Sequence, residues 1–152
     1  MKKMEVLLKR IESVIPMQEK LNPDISQSSV GWHIEHSLLT INLIIEGLRI
    51  SNPRDYKWKF NLSRMYVFTF NKIPRGRAKA PKVVVPKEFD TGTLKKHLEK
   101  ARVGLVDLSK MNPGSYFVHP YFGKLNKKQT IKFLAIHTGH HLAIMDDIIG
   151  LK

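Results

Sequence analysis

Four stretches of this chain carry apolar residues at helical spacing, and they constrain the fold more than any other feature. Met4, Leu7, Leu8, Ile11, Val14 and Ile15 recur every three or four residues. That spacing puts them on one face of a helix with 3.6 residues per turn. Pro16 weakens this helix and "NPD" (22–24) ends it. A second helix is expected after "SQSS", whose serines can cap it, through "VGWHIEHSLLTINLIIEGLRI" to the stop at "SNP" (51–53). Its inner stripe reads as Trp32, His36, Leu39, Leu43 and Ile44. A third begins near Asp90 or Thr91 and carries Leu94, Leu98, Ala101, Leu105 and Leu108 to "NPG" (112–114). The last starts at Asn126, where Gln129 three residues on forms a capping-box pattern. It carries Ile131, Leu134, Ala135, His137, Thr138, His141, Leu142 and Met145.

Between the second and third helices lies a connection of about 38 residues. Residues 61–70 within it read as a short helix or a strand, and 73–88, with prolines 74, 81 and 86, as an extended segment. Short connections make antiparallel neighbours, whereas a long one permits a crossover. The expectation is an all-α fold, a four-helix bundle with a long crossover between helices 2 and 3. The 152 residues suit a single domain over 1–152. At this size folding buries roughly 70% of the unfolded surface.

The chain contains no cysteine, which excludes disulfides, thiolate metal sites and a cysteine nucleophile. The start has no signal-peptide pattern, since Lys9, Arg10 and Glu12 interrupt its apolar run. No run of about 18 apolar residues is present to span a membrane. The expected location is the cytoplasm, with no membrane partner. The formal charge of +13 is uneven: residues 51–100 hold thirteen basic and four acidic groups. Its densest part, "KIPRGRAKAPKVVVPK" (72–87), includes Lys72, Arg75, Arg77, Lys79 and Lys82. Such a run fits a nucleic-acid-binding module, a solvated face, or a surface that holds an anionic cofactor. No nucleic-acid motif accompanies it, so nucleic acid ranks below the other two.

Three of seven histidines crowd into "AIHTGHHLAI" (135–144). His137 and His141, four apart, differ by about 40° around a helix and stack one turn above the other, so both can reach one ion. A metal site needs a third ligand. His36, inside the apolar stripe of helix 2, is the best candidate; a hydrogen-bonded core histidine is the alternative reading. His33 reads as nearer the surface, and His97 lies off the leucine stripe of helix 3. Gly139 suggests close helix packing first and room for a ligand second, and His119 in "HPYFGKL" suggests a cap on the entrance of the last helix ahead of a place at the mouth of a site. No carboxylate stands next to the triad: Glu35 points to another face, and Asp146 and Asp147 lie a turn or more beyond His141.

"SVGWHIEHSLLTI", with Trp32 and His36 spaced W-x-x-x-H, is followed about a hundred residues later by H-x-x-H-H. This pattern resembles the DinB/YfiT-like superfamily. "APKVVVP" and "HPYFGKLNKKQTIKFLAIHTGHHL" are similar to a small DinB-like subfamily with an H-P-x-F-G-K-L segment before its final helix. The resemblance runs in order along nearly the whole chain. It implies a divalent metal, zinc or nickel, held by His36, His137 and His141. His140 matches a family histidine that is usually not a ligand. Trp32, His119 and His140 are then candidates to face the substrate or support the ligands. The resemblance also implies a metal-dependent enzyme acting on a small molecule, with a low-molecular-weight thiol such as bacillithiol as co-substrate, and a homodimer. The alternatives are a metal-dependent hydrolase, a non-catalytic metal-binding bundle and the nucleic-acid-binding module.

Overall fold

The computed structural model describes residues 1–76 and 80–151. It is mostly helical: α1 (Lys2–Val14), α2 (Val30–Arg49), α3 (Leu62–Phe70), α4 (Thr91–Lys110) and α5 (Lys127–Ile149). Two short strands, β1 (Tyr116–His119) and β2 (Gly123–Asn126), form an antiparallel hairpin between α4 and α5. The helix starts follow the sequence signals. Ser29 accepts from the Trp32 N–H at 3.3 Å, and Asp90 from the Thr93 N–H at 2.6 Å. Asn126 and Gln129 complete the capping box of α5. Each cap satisfies a backbone donor that a first turn leaves unpaired. Residues 61–70 are helical, with Asn61 as cap.

α2 packs against α4 and α5, and α1 packs against the same two helices. Met4, Leu8 and Ile11 of α1, Leu94, Leu98 and Leu108 of α4, and Leu134 and Met145 of α5 are fully buried between them. Gly104 lets α4 approach α2, because a Cβ there would sit 3.0 Å from Ile45 Cδ1.

The expected inner stripe of α2 needs correction. The residues at the centre of the core are Ile34, Leu38, Ile41 and Leu48, each 0% exposed, whereas Leu43 is 43% exposed and Leu39 half-buried. α2 has helices on one side and the hairpin with the Lys82–Val84 turn on the other. Both of its faces are therefore apolar, and periodicity alone cannot tell which one meets the helices.

The connection from α2 to α4 is fastened to the hairpin. Arg64 of α3 is buried and donates to the carbonyls of Lys59, of Phe122 at 3.2 Å and of Lys124 at 3.4 Å. A buried guanidinium is tolerable only when its donors are taken up in this way. The hairpin itself packs on α2 and α5. The connection and the hairpin thus close over the exposed side of the α2–α5 pair.

Candidate metal centre

His36 on α2 and His137 and His141 on α5 converge. One nitrogen from each lies within 4.8 Å of the other two. The ring centroids are 5.1, 4.7 and 4.6 Å apart, close to an equilateral triangle. Nε2 of His36 is 3.3 Å from Nε2 of His137. Two nitrogens about 2.0–2.1 Å from one tetrahedral ion stand about 3.3–3.4 Å apart, so this pair is already at a ligand spacing.

The far sides of the rings are as informative. Nδ1 of His36 donates to the Val84 carbonyl at 2.8 Å. A carbonyl can only accept, so the proton is on Nδ1 and the Nε2 lone pair faces the other histidines. Trp32 stacks on the same ring, 5.0 Å away with planes 10° apart. Nδ1 of His141 is 3.0 Å from Nδ1 of His33, and Nε2 of His33 is 3.0 Å from Ser26 Oγ. With its Nδ1 engaged by His33, His141 has Nε2 left for an ion. Nδ1 of His137 is buried with no partner.

Burial holds all these imidazoles neutral. It is the leading cause for His36, lowered, and for His137 and His141, both pushed well below 6.5. It also takes His33 down to about 4, with His36 adding to the effect. His140 is lowered by burial and then by Arg75, and His119 falls to about 4 through burial. Neutral imidazoles keep their lone pairs free, so an ion has no protons to displace near neutral pH.

The three histidines open onto a cavity of about 240 Å³. Trp32, His119 and His140 also line it, so the three candidate ligands and the three candidates to support them share one cavity. Two roles differ from expectation. His119 caps the hairpin turn rather than the helix entrance: its Nδ1 accepts from the N–H groups of Tyr121 at 3.1 Å and Phe122 at 3.2 Å. The helix entrance is capped by Asn126 and Gln129 instead. Gly139 meets no atom within 4 Å at its Cβ position, so it does not serve close packing.

His33 is the residue that the sequence reading missed. It is 4% exposed, not near the surface. The signal was available: a ligating histidine needs a partner for its second nitrogen, and His33 lies one turn before His36 on the same helix. His97 stays outside the site and donates from Nδ1 to Glu35 Oε1 at 2.7 Å. Burial raises the Glu35 carboxyl, with His97 opposing. Asp146 pairs with Arg10 and Asp147 with Arg75, at 2.7 and 2.8 Å. Among the described residues no carboxylate lines the cavity. Lys72 and Lys82 are exposed, and Arg77 and Lys79 lie outside the described residues. No described helix is long and apolar enough to cross a membrane.

The chain matches no family model, and no curated protein and no solved structure is significantly similar to it. Nothing in these comparisons identifies a DinB-like superfamily.

Proposed function

We propose that this protein is a metal-dependent enzyme of the DinB-like type, a four-helix bundle with a crossover between α2 and α4. It holds zinc or nickel at His36, His137 and His141 and transfers a low-molecular-weight thiol, bacillithiol or a relative, to a small molecule. The observation that carries the metal is the convergence of three neutral imidazoles, with His36 and His137 at ligand spacing. An ion bound by three neutral ligands keeps its full charge and acidifies whatever enters its open position. Around it, the Val84 carbonyl fixes the His36 tautomer and His33 orients His141.

One observation favours a thiol over water. Among the described residues the cavity wall offers no carboxylate to move protons for a hydrolytic water. The chain has no cysteine, so a thiol nucleophile must come from outside.

The test is metal content and cobalt spectroscopy. Protein purified without an affinity tag should carry about one divalent ion per chain, and His36→Ala should carry almost none while keeping its helical circular dichroism. A thiol added to the cobalt form should produce a sulfur-to-cobalt charge-transfer band. No metal uptake would refute the centre. Metal uptake without the band would refute the thiol and leave the centre standing.

A further inference from the structure

We infer that the cavity beside the histidines takes an uncharged apolar molecule the size of one substituted ring. This deepens the proposed function by naming the class of its second substrate, and it rests on that reading only for the role of the ion.

Size sets the first limit. An apolar cavity of about 150 Å³ holds benzene, and drug-sized ligands occupy about 300–1,000 Å³. The volume here, about 240 Å³, falls between the two. A ring with one or two small substituents fills it.

The wall sets the second. Ile44 of α2, Phe117 and Phe122 of the hairpin, Phe133 of α5 and Val84 of the connection supply its apolar and aromatic surface. Phe122 and Phe133 stand edge to face, 5.7 Å apart, an arrangement into which a further ring packs well. The chain holds 26 Lys and Arg and 13 Asp and Glu, yet among the described residues none of them lines the cavity. Arg75 lies between two lining residues, Pro74 and Gly76, but its guanidinium is paired with Asp147 at 2.8 Å. A carboxylate or phosphate inside would lose its hydration, and among the described residues no cation of the wall itself would replace it, the nearby Arg75 being held by Asp147.

Apart from the histidines, Trp32 and Tyr121, the polar side chain on the wall among the described residues is Thr40. It sits one turn after His36 and is 7% exposed, and its hydroxyl has no hydrogen-bond partner. Leaving a hydroxyl unpaired is costly. One polar substituent on the ring would satisfy it.

The experiment uses the full chain freed of metal with EDTA, so that no ion can attract a charged probe. Benzyl alcohol, benzoate and glucose 6-phosphate are titrated by ligand-observed NMR. Benzyl alcohol and benzoate match in size and differ in charge. Benzyl alcohol should bind at least tenfold more tightly than benzoate, and glucose 6-phosphate should not bind. Leu43→Glu, at a lining position that is 43% exposed, should weaken benzyl alcohol at least tenfold. Its cobalt stoichiometry, measured separately by calorimetry, should not change. Benzoate binding as well as benzyl alcohol, or no binding of benzyl alcohol, would overturn the ligand class. Cobalt uptake is an independent readout: its failure beside normal benzyl alcohol binding would overturn the metal reading alone.

Discussion

Lowering the pH from 7.5 to 5.0 should strip the metal-free protein of about 4 kcal/mol of stability through two histidines alone. His33 and His119 are both lowered to about 4 from an ordinary 6.5. In the unfolded chain each regains the ordinary value. Between pH 6.5 and 4 the unfolded state therefore binds protons that the folded state refuses, and stability falls as pH falls. At pH 5 the difference amounts to about 2 kcal/mol per histidine, from the two protonation equilibria at 1.36 kcal/mol per tenfold. His36, His137, His140 and His141 are lowered too and act in the same direction. Glu35, raised by burial, acts against them, but it is one group against six.

A domain is stable by about 5–15 kcal/mol, so this loss is a large share of the whole. The assay is urea unfolding in EDTA at the two pH values, with free energies extrapolated to water. His119→Asn separates the contributions. Its amide oxygen can still accept the two backbone N–H groups that His119 caps. It does not titrate, so the loss between the two pH values should shrink by about 2 kcal/mol. Equal stability at pH 7.5 and 5.0 in the metal-free protein would refute the buried, neutral state of these rings. An unchanged loss in His119→Asn would refute the part assigned to that residue.

Two further outcomes are expected. His33→Phe keeps the ring volume but removes the partner of His141 Nδ1, so cobalt affinity by calorimetry should fall about ten- to a hundredfold. His97→Phe, outside the site, should leave it unchanged. Gly139→Ala should raise stability by about 0.5–1 kcal/mol in urea unfolding, because a helical glycine wastes backbone entropy and nothing stands within 4 Å of the new methyl.

The helices and the converging histidines were legible in the sequence for one reason: both depend on short-range spacing. Leu94, Leu98, Ala101, Leu105 and Leu108 all proved buried. Asn126 and Gln129 proved to be a capping box, and His137 and His141 stack as an i,i+4 pair must. What was not legible depends on neighbours far along the chain. α2 is apolar on two faces, and the stripe chosen from periodicity is mostly the one lining the cavity: Trp32, His36, Leu43 and Ile44. His33 gains its importance from His141, 108 positions away. The hairpin has strands of four residues, too short for alternation to stand out, and it is held through Arg64, a charged residue that composition would leave on the surface.

These particulars point to a division of labour within the chain. α1 and α4 supply core and line no part of the cavity among the described residues, and their polar faces meet in ion pairs such as Arg102 with Glu12, 2.6 Å apart. α2 and α5 supply the three converging histidines. The connection and the hairpin supply the wall, along with the carbonyl that fixes His36. Changing Leu98 or Ile41 therefore changes whether the chain folds, since each is at most 1% exposed within the core. Wall positions such as Val83 and Tyr121 are 70% and 53% exposed, and changing them should alter what fits beside the three histidines at little cost to the fold. Loops on a rigid scaffold are where binding specificity ordinarily resides. Here the separation is sharp enough that ligand choice and metal binding should respond to different substitutions.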